Sequence, residues 1–320
     1  MCRKLSIISL NLVLCGIGFS QAAPSVVPKS KLFDEVKLVD DLRILSADDM
    51  EGRAPETQGS AKARAFIIKR FQESGIKPFG ANYEQEYKFT RPSKPNETHT
   101  GANVVGYIDG GSHSKKYIVV TAHYDHLGIR DGKIFNGADD NASGTAALFS
   151  IAKYFKNHKP ENPMIFVAFD TEEGSGAGAR EFLTHPPVTC SEIVFNVNVD
   201  MIGRDANNIL YAVGTYHFPF LKPYLEKVVL GAPVKLMMGH DVPNTNVEDW
   251  TRDSDHYSFH RVGIPWIYFG VEDNEQHHQP TDDFETMTLP FYAHAVETVI
   301  LLIKQFDSNL AEIEKHRKPV

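Results

Sequence analysis

At residues 117–125 the chain has the sequence YIVVTAHYD, in which an uninterrupted apolar run leads directly into a histidine and an aspartate. A short run that is apolar at nearly every position is typical of a strand buried on both faces of a sheet. Similar runs alternate along the chain with segments of helical spacing, which predicts a mostly parallel sheet covered by helices. The expected fold is therefore α/β, with three α/β/α layers around a mixed, mostly parallel central sheet.

The individual elements follow from the same patterns. The predicted strands are Asn103–Ile108, Tyr117–Ala122, Met164–Phe169, Ile193–Val199, Ile209–Val213 and Pro265–Phe269. The predicted helices are residues 36–50, residues 60–77, Gly144–Phe155, Phe218–Leu230 and Leu289–Phe306. Gly75 is expected to stop the second helix, because glycine readily adopts the left-handed conformation at a helix end. The polar stretch Thr90–Gly101, which contains Pro92 and Pro95, predicts a loop.

The N-terminal residues predict export. A basic pair precedes the apolar stretch Leu5–Phe19, and small residues follow up to Ala22, as in a secretory signal peptide. A buried helix, or a lipoprotein anchored at Cys15, would be the alternative. The apolar stretch is too short for a membrane anchor. We therefore expect a signal peptide at residues 1–22, a single domain at residues 23–320, and a periplasmic or secreted protein.

Charge and cysteine content limit the partners. The formal net charge of −8 becomes −10 without residues 1–22, which carry two basic residues and no acidic ones. An acidic chain without a basic run argues against nucleic acid or an anionic membrane as a partner. Only Cys190 remains in residues 23–320, so an intramolecular disulfide is excluded there. We expect a monomer.

Acidic residues and histidines occur where the predicted strands end. In an open α/β sheet, ligands bind just beyond the carboxyl ends of the strands. Further polar residues lie in the loop 136–144 and in the run His277–Asp282. The candidate metal ligands are His123, Asp140, Glu173, Asp200 and His278.

The chemistry of these ligands favours zinc, which binds imidazole nitrogen and carboxylate oxygen readily. Five side chains exceed the three that a single catalytic zinc normally uses, and they suit two ions bridged by one carboxylate. Asp125, two residues after His123, could accept a hydrogen bond from the ring nitrogen that does not bind metal. Taken alone, each motif has an ordinary alternative, such as a surface loop, a solvated acidic pair or a helix cap. The prediction depends on their combination.

Two longer motifs, His123–Gly128 and Asn136–Gly144, resemble metallopeptidase family 28. This family includes bacterial leucyl-type aminopeptidases, and glutaminyl cyclases are structurally related to it. The other segments that match its pattern are Glu51–Arg53, Glu172–Glu173, Asp200–Gly203, Ser254–Tyr257, Gly263–Pro265 and His278–Pro280. The resemblance covers nearly all of residues 23–320. It departs from the family at residues 174–178, which keep the length of the common Gly-Leu-x-Gly segment but change its residues.

The resemblance implies a zinc-dependent aminopeptidase that hydrolyses the N-terminal peptide bond of peptides with a free N-terminus. It implies two zinc ions per chain, bridged by Asp140. His123 and Asp200 would complete one site, and Glu173 and His278 would complete the other.

The resemblance also implies the catalytic residues. Glu172 would be the general base that takes a proton from a metal-bound water, and Asp125 would orient His123. The peptide bond between Asp140 and Asn141 would be cis.

Neighbouring polar residues are not expected to be metal ligands. His126 lies beyond the metal loop and could contact substrate, while His277 is expected to be exposed. Asp139 is expected to be structural, and Asp255 and His256 could line the substrate pocket.

Three other functions remain as alternatives. A glutaminyl cyclase uses one zinc, and the presence of His123 argues against it. A deacylase or carboxypeptidase would need a lid domain of roughly a hundred residues, for which the interval from Asp200 to His278 is too short. A non-catalytic binding protein would be expected to lack some ligands or the base, and all are present. Zinc content distinguishes two ions, one ion and none.

Overall fold

The computed structural model describes residues 27–91, 94–112 and 114–318. The predicted signal peptide, residues 1–22, lies outside these ranges. Among the described residues, no helix is both long enough and apolar enough to cross a membrane.

Strands and helices alternate along most of the described chain. The strands are β1 (Glu84–Arg91), β2 (Lys94–Ile108), β3 (Tyr117–His123), β4 (Gly128–Arg130), β5 (Lys133–Phe135), β6 (Met164–Phe169), β7 (Ile193–Val199), β8 (Ile209–Val213), β9 (Lys235–Met238) and β10 (Trp266–Gly270). The helices are α1 (Glu35–Leu45), α2 (Gln58–Ser74), α3 (Gly144–Asn157), α4 (Ala177–Thr184), α5 (Lys222–Val229), α6 (His256–Arg261), α7 (Leu289–Asp307) and α8 (Leu310–Glu314).

Eight of these strands form one mixed sheet, in the order β1-β2-β6-β3-β7-β10-β8-β9. The four central strands β6, β3, β7 and β10 run parallel to one another. Antiparallel pairing occurs between β1 and β2, between β2 and β6, and between β8 and β10. The expectation of a mixed, mostly parallel sheet in an α/β fold is confirmed.

Helices cover both faces of the sheet. Successive side chains of each central strand point to opposite faces, so a strand that is apolar at successive positions has two faces to bury. In β3, Ile118 and Val120 pack with the helices α1, α2, α3 and α7, whereas Val119 packs with α4 and α6 on the opposite face. Both faces of β3 are therefore buried, which explains why its sequence is apolar at successive positions.

The predicted loop at Thr90–Gly101 is wrong, because most of this stretch belongs to the antiparallel pair β1 and β2. At the outer end of this pair, Thr90 and residues 95–98 are exposed, so successive side chains on both faces of the pair are in contact with solvent. A strand without a buried face lacks the alternating apolar pattern from which strands are recognised.

The helix predicted at residues 36–50 ends early, at Leu45, and a short 3-10 segment covers Asp48–Arg53. Gly52 has a φ of +63°, and a side chain there would collide with the backbone of Phe135 and Gly128. Only glycine therefore fits where this segment passes against the backbone of the β4–β5 hairpin. The predicted end of the next helix at Gly75, with a φ of +78°, is confirmed.

Candidate metal centre

The carboxyl ends of the central parallel strands meet at one edge of the sheet, and the five predicted ligands lie there. Each occupies the end of a strand or the loop that follows it. His123 is the last residue of β3, Asp140 lies in the turn before α3, Glu173 follows β6, Asp200 follows β7, and His278 follows β10. The structure brings together side chains that are separated by up to 155 residues in sequence.

Asp140 lies at the middle of this group. Its Oδ1 is 3.4 Å from His123 Nε2, and its Oδ2 is 3.2 Å from His278 Nε2. His123 Nε2 is also 3.2 Å from Asp200 Oδ1, and His278 Nε2 is 3.4 Å from Glu173 Oε1. The two oxygens of Asp140 thus face two separate sets of donor atoms.

These distances fit zinc. Ligand atoms of a tetrahedral zinc site with bonds of about 2.0–2.1 Å are roughly 3.3–3.4 Å apart. Groups able to hold an ion include His123, Asp140 and Asp200 on one side of the centre. The donor atoms are therefore spaced as zinc requires, although the role of each residue as a ligand stays a prediction.

The group opens into a cavity of about 350 Å³. Its lining includes all five predicted ligands, Glu172, and the aromatic side chains of Trp250 and Tyr268. Further acidic residues, Glu248, Asp253 and Asp273, stand around it. The lining residues carry no lysine or arginine within the described chain, so the cavity favours cationic groups.

The charges of the centre influence one another strongly. Burial raises the pKa of Asp140, but the neighbouring His126, His123 and His278 lower it more, and the net pKa is well below the usual range. Burial raises the pKa of Glu172 well above its usual range, and nearby carboxylates add to this effect. Hydrogen bonds to Asp140 and Glu173 raise the pKa of His278 to about 10. These shifts are typical of an acidic, partly enclosed cluster that stabilises positive charge.

Asp125 contacts His123 differently from the prediction. His123 Nδ1 is 3.1 Å from the carbonyl oxygen of Asp125 and 3.7 Å from its Oδ1, so the carbonyl is the nearer acceptor. The carboxylate instead accepts the backbone N–H groups of Glu172 and Glu173, at 3.0 and 3.2 Å. Asp125 therefore joins the loop after β3 to the loop after β6.

Asp282 supports the loop that carries Asp140, a role that the sequence analysis missed. Its carboxylate accepts the backbone N–H groups of Asp139 and Asp140, at 3.0–3.1 Å. The only signal in the sequence was its place in the polar run four residues after His278.

Arg53 is a buried arginine beneath the centre. Its guanidinium donates hydrogen bonds to the carbonyl oxygens of Leu45, Tyr124, Asn136 and Gly137. Burial lowers its pKa to about 10, and the surrounding carboxylates oppose this shift. In sequence, Arg53 was marked only by the resemblance of Glu51–Arg53 to the family.

Ser254 holds Asp200 and is a second contact that the sequence analysis did not assign. Its hydroxyl donates to Asp200 Oδ2 at 2.7 Å and accepts from Asn198 Nδ2 at 2.8 Å.

The predicted cis peptide bond between Asp140 and Asn141 is confirmed.

Two polar neighbours of the predicted ligands, His277 and Asp139, have different surroundings. His277 is not exposed as expected: its side chain is 26% exposed, compared with 47% for His278, and its Nδ1 is 2.9 Å from Asp273 Oδ2. Asp139 accepts the backbone N–H of Gly203 at 2.8 Å, as expected of a structural residue.

Two residues that could line the substrate pocket are buried. Asp255 and His256 are both absent from the lining of the metal cavity. Asp255 lines an adjoining cavity that also touches Glu172.

Comparisons with known proteins identify the family of this chain. The model of peptidase family M28 matches residues 103–303. The chain is 25% identical over 296 residues to Aminopeptidase YwaD of Bacillus subtilis (strain 168), covering 81% of this chain and 59% of that protein. It is 27% identical over 143 residues to the Alkaline phosphatase isozyme conversion protein of Escherichia coli (strain K12), covering 41% of each. The chain thus spans less than two thirds of the length of these relatives.

Solved structures share the fold at low sequence identity. BSAP, a zinc aminopeptidase from Bacillus subtilis, has a TM-score of 0.70 at 14% identity, with 88% of this chain and 96% of that chain covered. The glutaminyl cyclase of Porphyromonas gingivalis has a TM-score of 0.70 at 19% identity, with 86% and 99% covered.

Proposed function

Because the chain belongs to peptidase family M28, we propose that it is a zinc-dependent aminopeptidase that hydrolyses the N-terminal peptide bond of peptides. The observation that carries this proposal is the position of the Asp140 carboxylate, which faces His123 with one oxygen and His278 with the other. A carboxylate shared in this way suits two ions better than one. Residues 23–320 would form a single peptidase domain, exported and monomeric.

Five residues would hold two zinc ions. His123, Asp140 and Asp200 would bind the first ion, and Asp140, Glu173 and His278 the second. When bound, zinc supplies Lewis-acid chemistry, increasing the acidity of water and polarising the carbonyl that is attacked.

Glu172 would be the general base. It lines the same cavity as the donor groups, and it belongs to none of the possible ion-binding groups found among the described residues. Its carboxylate would accept a proton from the attacking water and deliver it to the leaving amine. Asp125 fixes the backbone of Glu172 by a hydrogen bond of 3.0 Å, which would hold the base in place.

The acidic lining of the cavity supports a requirement for a free N-terminus. Glu248, Asp253 and Asp273 add negative charge around the donor groups. A protonated α-amine would be attracted to this surface, whereas an acylated amine carries no charge and is larger.

Paired substrates test the proposal. The purified protein is offered aminoacyl-nitroanilides and their N-acetylated versions, and its zinc content is measured. We expect two zinc ions per chain and release of nitroaniline from the free substrates alone. Equal cleavage of free and acetylated substrates would contradict the proposal.

Glutaminyl cyclisation is the second candidate, because the cyclase structure has the same TM-score as the aminopeptidase structure. A peptide with N-terminal glutamine separates the two activities. An aminopeptidase releases glutamine from it, and a cyclase releases ammonia and leaves the peptide bond intact. One zinc per chain together with ammonia release would favour the cyclase.

A further inference from the structure

A second cavity adjoins the metal cavity at Glu172. Its volume is about 380 Å³, and Glu172, Gly174 and Asp253 belong to the lining of both cavities. A side-chain carbon at Gly174 would meet no atom within 4 Å, so the border between the two cavities is open at this residue. A group that extends from the metal cavity past Glu172 therefore enters this second space.

The two cavities differ in charge. The residues that line only the second cavity include three arginines, Arg180, Arg252 and Arg261, and one carboxylate, Asp255. The three arginines are exposed, whereas Asp255 is only 2% exposed. The lining of the metal cavity, in contrast, carries several acidic residues and, within the described chain, no arginine or lysine. We call the second space the arginine cavity, because positive charge predominates where it is open to solvent.

The arginine charges are not neutralised by neighbouring carboxylates. Within the described part of the chain, none of the three guanidinium groups forms an ion pair with a carboxylate. Arg180 Nη1 donates to the carbonyl oxygen of Ser175, and the guanidinium carbon of Arg252 is 5.6 Å from the centroid of the Tyr257 ring. Ser175 and Tyr257 both line the arginine cavity, so neutral contacts hold two guanidinium groups at its wall. Unpaired guanidinium groups at a cavity wall favour an anionic ligand, and their planar shape suits a carboxylate.

The proposed reaction determines which part of a peptide would reach this cavity. The free α-amine would be attracted to the acidic metal cavity, and Glu172 would deliver a proton to the leaving amine. The leaving residue would therefore lie beside Glu172, which belongs to both linings. In a dipeptide, the C-terminal carboxyl carbon is two bonds, about 2.5 Å, from the leaving nitrogen. A carboxylate of the leaving residue would thus lie at the border of the two cavities or beyond it.

We propose that the arginine cavity binds a carboxylate on the leaving side of the scissile bond. This inference rests on the proposed function and adds a substrate class, namely short peptides with a free C-terminus and peptides with an acidic second residue. The two ends of such a substrate would meet opposite charges, which favours one orientation. Residues 174–176 of the lining lie in the segment that departs from the family pattern, so this preference would be a property of the chain itself.

Four dipeptides that begin with leucine test the proposal. Two have alanine in the second position, with a free or an amidated C-terminus. The other two have glutamate or glutamine in the second position, both with an amidated C-terminus. Within each pair the ratio of the kcat/KM values measures the preference for a carboxylate, and the two pairs distinguish its two sources. We expect a preference of about tenfold in at least one pair, and we expect it to decrease as salt is added, because salt screens charges near the surface.

Neutral variants locate the group that recognises the carboxylate. We expect Arg180→Gln and Arg252→Gln each to reduce the preference to about threefold or less. Arg43→Gln is the control, because Arg43 is also exposed but lies on α1, outside both cavities. It should keep the preference of the unchanged protein. Each ratio compares two substrates of one protein, so a general loss of activity cancels.

A binding measurement makes the test independent of turnover. The dissociation constants of the same four dipeptides are measured by calorimetry on the zinc-loaded Glu172→Gln protein, with the same preference expected. If the unchanged protein cleaves none of the dipeptides, the proposed function is contradicted, and calorimetry still tests the arginine cavity. Ratios near one for both pairs, in turnover and in binding, would overturn the inference alone. So would a preference that neither cavity variant reduces, or that Arg43→Gln reduces as much as they do.

Discussion

Asp125 Oδ1 accepts the backbone N–H of Glu172 at 3.0 Å, so a residue of the loop after β3 fixes the position of the loop after β6. The second carboxylate oxygen accepts the N–H of Glu173 at 3.2 Å. Asp125 is fully buried, and no water can replace either bond without a change in structure. The two glutamates that differ in their proposed roles are therefore held by one carboxylate.

Asp125→Asn should weaken this connection, because the amide can accept only one of the two bonds and brings its own N–H groups against the other. We expect the free energy of unfolding of the zinc-free protein to fall by about 1–3 kcal/mol. Urea unfolding followed by circular dichroism measures this change. Asp131→Asn is the control, since Asp131 is exposed and has a φ of +51°, which asparagine tolerates. Equal stability of the two variants would contradict the prediction.

Arg53→Lys should destabilise the centre although it preserves the charge. The guanidinium of Arg53 donates to carbonyl oxygens from three different parts of the chain, and an ammonium group cannot reach all of them. We expect a loss of about 2–4 kcal/mol in the free energy of unfolding. The same substitution at the exposed Arg261 should change it by less than about 0.5 kcal/mol. A stability loss at Arg53 no greater than at Arg261 would refute the account.

The sequence predicted the sheet and the edge that carries the centre, because the central strands are buried on both faces. β3, β6 and β7 are buried at nearly every position and largely apolar. His123 ends β3, Asp200 directly follows β7, and Glu173 lies four residues after the end of β6. Parallel strands place such residues at one edge of the sheet, so the predicted direction of the strands was enough to expect them together.

The sequence did not predict features that depend on three-dimensional contacts. Within the Thr90–Gly101 stretch, residues 95–98 belong to the paired strand β2 while successive side chains stay exposed, so the sequence there carries no strand pattern. The contact of Asp282 with the Asp140 loop joins residues that are 142 positions apart. The position of His126 beside Glu173 depends on the close approach of two loops, which the spacing of residues in one loop cannot reveal.

Removal of zinc should lower the melting temperature. Without cations, the carboxylates of Asp140, Glu173 and Asp200 lie together in a partly enclosed site and repel one another. An ion present at about a hundred times its dissociation constant stabilises the folded state by about 2.7 kcal/mol. We therefore expect a chelator to lower the melting temperature and added zinc to restore it.

Magnesium is the control for this experiment. It prefers oxygen ligands, and the centre offers imidazole nitrogens from His123 and His278. At the same concentration, magnesium should restore much less of the melting temperature than zinc. The same melting temperature with chelator, zinc and magnesium would show that no metal stabilises the fold.

Glu172 and Glu173 are adjacent and chemically alike, yet they are proposed to do different work. Glu173 Oε1 lies among the donor atoms, 3.4 Å from His278 Nε2. Glu172 lines the cavity beside them. The exchange of each carboxylate for an amide of the same shape separates the two roles, because the amide retains the volume and loses the charge and the ability to accept a proton.

Glu172→Gln should keep both zinc ions and lose activity, because only proton transfer is affected. The turnover number should fall by roughly 10²–10⁴, the contribution of a general base, while the melting temperature with zinc stays near that of the unchanged protein. Glu173→Gln should instead lose zinc and melt at a lower temperature, since a neutral amide is a weaker ligand than a carboxylate. Zinc content, turnover number and melting temperature, measured on both purified variants, decide which glutamate binds metal and which acts as the base. If Glu172→Gln loses zinc while Glu173→Gln keeps two ions, the two roles are reversed.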